Sequence, residues 1–207
     1  HDLMGQHRIL YFPNGTYLVS KTLMWAKANS AGQEAWGFNW IQGQSAAGTV
    51  IRLAERTFTD RQSPGAIMWC GGFGSADWFH NYIQDLTLDV GNGNPAASGL
   101  QFFSNNTGAL RDLSIVSQDG QGIAGLDLAH RDMNGPLFVQ NLKVRGFDVG
   151  VRTGNAVNSQ TFEGLTLEAQ NRVGFENTGQ AVAIRGLRSE NSVIAVSTYG
   201  MLSLLEA

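Results

Sequence analysis

Cysteine is nearly absent: Cys70 is the one thiol in 207 residues, so no internal disulfide can form and no cysteine-based metal site can be assembled. Proline is scarce, with 4 residues, whereas glycine numbers 26 and 43% of the chain is hydrophobic. That balance is neither disordered nor collagen-like, and it belongs to a folded globular chain. Charge is also sparse: Asp, Glu, Lys and Arg make up 15%, the net charge is −3 and the isoelectric point lies near 5.8. Nucleic acid is therefore not an expected partner, because no basic footprint is available. No apolar run reaches the ~20 residues that cross a bilayer, so no membrane partner is expected, and the N-terminus carries no signal-peptide pattern. The 4 histidines, His1, His7, His80 and His130, lack metal-ligand spacing. No cofactor is expected, with calcium on loop carboxylates left open.

What the chain does have is an internal repeat. The segments "NYIQDLTLDV", "GALRDLSIVS", "LFVQNLKVRG", "QTFEGLTLEA" and "VAIRGLRSEN" share an apolar-x-x-Leu-x-apolar core, centred on Leu86, Leu113, Leu142, Leu165 and Leu187. Each is followed by a second short run: "GLQFF", "GLDLA", "GVRTG", "GFENT" and "IAVST". Glycine at the start of most of these predicts a bend between strands, where the absence of Cβ lets the backbone turn sharply. Apolar residues alternate with a period of two, which is the strand pattern and not the helical one. One strand recurring at such a period suits a solenoid better than a sandwich, since no coil can bury its apolar face alone.

The expected fold is all-β, a single-chain right-handed parallel β-helix. Two columns should stack inside it: Ile83, Leu110, Val139, Phe162, Ile184, and the central leucines. Residues 1–80 are expected to supply less regular N-terminal coils and a cap, and residues 81–207 the regular coils, in one domain overall. The abrupt start "HDLMGQHRIL" and the final "MLSLLEA" predict a piece of a longer solenoid.

The apolar strand and Pro-x-Gly-x-Tyr turn of "ILYFPNGTYLVSKTL" resemble the start of the pectate-lyase-like superfamily of right-handed β-helix proteins. "GTVIRLAE", "GLDLAHRDMNGPLFVQNLKVRGFDVGV" and "TFEGLTLEAQNRVGFENTGQAVAIRGL" look like the branch related to family 55 glucan hydrolases and rhamnogalacturonase/epimerase-type domains. The resemblance covers most of the chain and is specific for fold, but weak for chemistry, since one fold hosts many activities. Polygalacturonase-type Asn-Thr-Asp, Asp-Asp, Gly-His-Gly and Arg-Ile-Lys signatures are missing. So is the Arg-x-Pro-x-x-Arg signature of calcium-dependent pectate lyases. What the resemblance implies is a secreted enzyme that cleaves glycosidic bonds in a polysaccharide, with a second β-helical module as a partner outside this chain. Hydrolysis is favoured over uronate-directed lyase chemistry. The rival reading is a non-catalytic carbohydrate-binding or adhesive shaft.

Three sets of residues are candidates for that chemistry. Outward positions one per coil give Asp89, Val116, Arg145, Glu168 and Glu190. With coils ~4.8 Å apart, Glu168 and Glu190 approach the ~5–5.5 Å of a retaining glycosidase pair, in which like charges leave one carboxyl as acid beside a base. The competing reading is a solvated ladder of those carboxylates with Arg145, Lys143 and Arg188, contributing little; in a lyase, Arg145 or Lys143 would abstract the proton. The column Gln101, Asp127, Arg152, Glu176 reads as a ladder of the same kind. The second set lies in the loops "VSQDGQG" and "AHRDMNG": Asp119 or Asp132 as acid, with His130 or Arg131 on a sugar hydroxyl or uronate, against ordinary Asp-Gly and Asn-Gly turn chemistry. The third is aromatic: Trp36 and Trp40, in "WGFNW", could stack on sugar rings, or pack over the solenoid's end.

Overall fold

A computed structural model describes residues 8–24, 26–27, 34–35, 39–70, 80–104, 107–129, 135–154 and 159–207. The described residues are all β, with no helix among them. The N-terminal part holds β1 (Arg8–Phe12), β2 (Gly15–Val19), β3 (Leu23–Met24), β4 (Ala26–Lys27), β5 (Glu34–Ala35), β6 (Asn39–Gly43), β7 (Thr49–Leu53) and β8 (Gly65–Cys70). From there a long strand alternates with a short one. The series is β9 (Asn81–Asp89), β10 (Ala97–Phe102), β11 (Gly108–Val116), β12 (Ala124–Asp127), β13 (Leu137–Arg145), β14 (Val149–Thr153), β15 (Gln160–Glu168), β16 (Val173–Asn177), β17 (Val182–Glu190), β18 (Ile194–Thr198) and β19 (Leu202–Leu205).

The long strands and their N-terminal counterparts form a 10-stranded sheet, and the short ones form a 7-stranded sheet. Each strand pairs in parallel with the equivalent strand of the next coil, which gives the architecture of a solenoid. Among the described residues only β4 and β5 pair antiparallel.

The expected columns form in register. Ile83, Leu110, Val139, Phe162 and Ile184 align coil by coil, as do Leu86, Leu113, Leu142, Leu165 and Leu187. The first column extends upstream through Ile41 to Leu10. β1, β2, β6 and β7 thus belong to the same stack. Phe102, Phe147, Phe162 and Phe175 are fully buried, each stabilising the stack by ~1.5–3 kcal/mol. The rings of Phe162 and Phe175 meet edge to face at 5.2 Å across the interior.

Each nine-residue strand is bent in the middle. The residue before the central leucine is left-handed: Asp85 (φ 60), Asp112 (φ 51), Asn141 (φ 52), Gly164 (φ 67) and Gly186 (φ 72). These are the residue types that enter this region at least cost. The bend divides the long sheet into a first face, before the corner, and a second face, after it. In the two earliest coils separate strands do the same work, since β6 and β7 both pair with β9.

The short-strand glycines act by close approach and not by positive φ. A Cβ on Gly125 would lie 2.2 Å from the Val144 methyl Cγ1 and 2.9 Å from the carbonyl oxygen of Gly150 in the next coil.

Candidate functional site

Outward columns of the first face combine aromatic and amide groups. Four residues before the first three central leucines stand Tyr82, Ala109 and Phe138, in register with Trp40 one coil earlier and followed by Thr161 and Ala183. Two residues before the same leucines stand Gln84, Arg111 and Gln140, in register with Gln42, and the column continues as Glu163 and Arg185. Trp40 is 38% exposed, and its ring centroid lies 5.5 Å from that of Tyr82 at a tilt of 45°. The Tyr82 hydroxyl is 3.4 Å from His80 Nδ1, which also lies 3.2 Å from the Thr107 hydroxyl. Farther along, the Arg111 guanidinium carbon sits 5.7 Å from the centroid of the Phe138 ring, a cation–π contact.

The left-handed corner borders this strip. Asp85 Oδ2 accepts a hydrogen bond from Gln84 Nε2 at 3.1 Å and a longer one from Gln42 Nε2 at 3.5 Å. Asp112 Oδ1 accepts from Asn141 Nδ2 at 2.8 Å. Because the corner residues occupy equivalent positions in adjacent coils, the Asp85 and Asp112 side chains leave the backbone ~4.8 Å apart. Neighbouring rings, amides and carboxylates on one partly exposed face can hold an extended polar ligand: rings against its apolar faces, amides and carboxylates on its hydroxyls.

On the second face, Glu168 and Glu190 do occupy adjacent coils in register, next to Arg145. Each carboxylate has a cation of its own: Lys143 Nζ lies 2.8 Å from Glu168 Oε1, and Arg188 contacts Glu190. Val116 and Arg145 continue the column. Its outward direction does not guarantee exposure, however. Asp89, read from the alternation as solvent-facing, is 1% exposed. It accepts from Arg52 Nε at 2.8 Å, Gln118 Nε2 at 2.9 Å and the Gly91 N–H at 2.8 Å.

The second sheet shows the same departure more strongly. Gln101, Asp127, Arg152 and Glu176 are in register, yet Asp127 is 0% exposed. Arg152 grips it with Nε at 3.2 Å and Nη2 at 2.8 Å. Gln101 Nε2 and the Ala129 N–H complete its shell at 3.3 and 3.1 Å. Burial works to lower the Arg152 pKa, but the Asp127 hydrogen bonds and charge, with Glu176 adding its own, raise it above the ordinary arginine value. This is a buried ion pair and not a solvated ladder.

Asp119 caps its turn. Its carboxylate accepts from the Gly93 N–H at 2.6 Å, the Gln121 N–H at 3.0 Å and the Ser117 hydroxyl at 3.1 Å. Partial burial pushes its carboxyl up, but these hydrogen bonds outweigh that and hold it below the usual carboxylate range. Such a setting favours an ionised turn cap over a proton donor. The Asp119 turn leads into β12. His130, Arg131, Asp132 and Trp36 lie outside the described residues.

Of the sequence candidates among the described residues, Trp40 alone falls on the aromatic and amide strip. Tyr82, Phe138, Gln42, Gln84, Arg111, Asp85 and Asp112 join it there. Their signal was the constant offset from the central leucine, which places the residues at minus four and minus two outward on neighbouring coils. Among the described residues no group of three or more His, Cys, Asp or Glu side chains could hold a metal ion, and no helix is long and apolar enough to cross a membrane. Comparison with protein-family models, with curated proteins and with solved structures finds no match for this chain.

Proposed function

We propose that the chain is a right-handed parallel β-helix that recognises a polysaccharide along the first face of its long sheet. The observation that carries this reading is the pair of neighbouring rings, Trp40 and Tyr82, set beside the amide column of Gln42 and Gln84. Sugar rings have apolar faces and hydroxylated edges, so an aromatic column flanked by amides matches both along one direction. The repeat suits a polymer: each new coil presents the same two outward positions ~4.8 Å further on.

Calorimetric titration with β-1,3-glucan, pectin, polygalacturonate and rhamnogalacturonan tests it. At least one glycan should bind, and Trp40→Ala and Tyr82→Ala should each weaken that binding about tenfold, the loss of a ~1.4 kcal/mol anchor. Unchanged affinity in both variants would remove the strip from consideration.

Cleavage of the bound glycan is the second reading, favoured by the position of Asp85 and Asp112 at the border of the strip. Side chains leaving adjacent coils there suit the ~5–5.5 Å separation of a retaining hydrolase pair, and both lie closer in sequence register to the rings than Glu168 and Glu190 do. New reducing ends without unsaturated uronate would favour hydrolysis. Asp85→Asn or Asp112→Asn should then abolish their release even at glycan concentrations that saturate whatever binding remains. If Glu168→Gln and Glu190→Gln were the variants that lost activity, the chemistry would belong to the second face. Absorbance from unsaturated uronate would point instead to a lyase, with Arg145 or Lys143 as the base to test.

A further inference from the structure

We infer that the glycan of the first-face strip is acidic, with Arg111 as the residue that selects a carboxylate or sulfate group on it; this rests on the glycan reading proposed above. The observation behind it is an exposed cation with no protein carboxylate of its own. Arg111 is exposed and forms no ion pair with a described residue, whereas Arg52, Arg61, Lys143, Arg152, Arg185 and Arg188 each have one. Its guanidinium carbon lies instead over the Phe138 ring, 5.7 Å from the centroid. β11 is flanked by β9 and β13, so this position is interior to the stack and independent of either end.

A guanidinium resting on an aromatic ring is prepared for an anion. The ring takes one face and leaves the planar fork of N–H donors at the rim. Two oxygens of a carboxylate or a sulfate ester match that fork in a bidentate pairing. A neutral sugar offers only hydroxyls, whose hydrogen bonds to the fork are weaker. Because the ring contact already restricts the arginine, less rotamer freedom is lost on binding.

Three carboxylates bear on the same strip, and distance decides which charge prevails. Asp85 and Asp112 stand at the corner, where Asp112 is engaged by Asn141. Glu163 follows Gln140 in the column of Arg111, two coils on, ~9.6 Å away. Phe138 stands three positions before Asn141, the corner residue of its own strand, a separation of ~10 Å. An anion seated on Arg111 at that ring is thus about one screening length from these carboxylates at roughly 0.1 M salt, while it touches the guanidinium directly. Attraction prevails.

Glycan pairs that differ only in charge test this by calorimetry: polygalacturonate against its fully methyl-esterified form, and sulfated β-1,3-glucan against plain β-1,3-glucan. The acidic member of at least one pair should bind about tenfold more tightly than its neutral partner, the effect of one charged hydrogen-bonding group. Arg111→Gln should bring that ratio close to one, while Trp40→Ala should weaken both members alike. A preference confined to the first pair assigns a uronate carboxylate, and one confined to the second a sulfate ester. Equal affinities within both pairs, or a preference that survives in Arg111→Gln, overturn this inference and leave the glycan reading standing. Failure of all four glycans to bind removes the glycan reading, and this inference with it.

Discussion

Asp127→Ala is expected to lower the unfolding free energy by about 3 kcal/mol, because it leaves the Arg152 charge partly buried without its hydrogen-bonded partner, with only the more distant Glu176 charge beside it. The lower part of the usual range for a broken buried pair applies, since the Arg152 side chain keeps 32% of its surface in contact with water. For a chain of this size that corresponds to a fall in melting temperature of roughly 6–12 °C. The double variant Asp127→Ala with Arg152→Met should recover most of the loss, as replacement of both charges by apolar groups is often near neutral. Thermal and denaturant unfolding would measure both. A single variant within ~0.5 kcal/mol of the parent, the range of ordinary surface changes, would mean that the pair behaves as the exposed ladder its sequence spacing implies.

Gly125→Ala is expected to cost about 2–3 kcal/mol, the upper part of the range for overpacking. The new methyl would meet Val144 of the long sheet at 2.2 Å and the Gly150 carbonyl of the next coil at 2.9 Å, so neither side can yield without moving a buried strand. Gly120 supplies the contrast: a Cβ there meets nothing within 4 Å, but its φ of +75 lies in the left-handed region. Gly120→Ala should therefore cost only about 1–2 kcal/mol, from backbone conformation alone. If the two substitutions had equal effects, close approach would not be the reason for glycine at position 125.

The sequence by itself determined the register of the stack. Leu86, Leu113, Leu142, Leu165 and Leu187 could be aligned by eye, and they face one another in the interior because slipping a parallel strand by one residue would turn every apolar side chain outward. The same alignment contained the outward columns, down to Tyr82 and Gln84 beside Trp40, since alternation fixes direction as firmly outside as inside. It also held the corner: Asp, Asp, Asn, Gly and Gly precede the five leucines, the residue types that accept a left-handed backbone.

Only the tertiary structure decided what those outward residues meet. Asp89 and Asp127 occupy positions that alternation assigns to solvent, yet both are covered, because exposure depends on which neighbours lie across a side chain and not on its direction alone. Arg52 and Gln118 close over Asp89, and Arg152 with Gln101 over Asp127. Likewise Glu168 and Glu190 are one coil apart as their spacing requires, but Lys143 and Arg188 reach them first. Period-two patterning is a local property enforced by burial of the leucines; the cations over Asp89, Asp127 and Glu168 come from residues 25 or more positions away, brought alongside only when the coils stack.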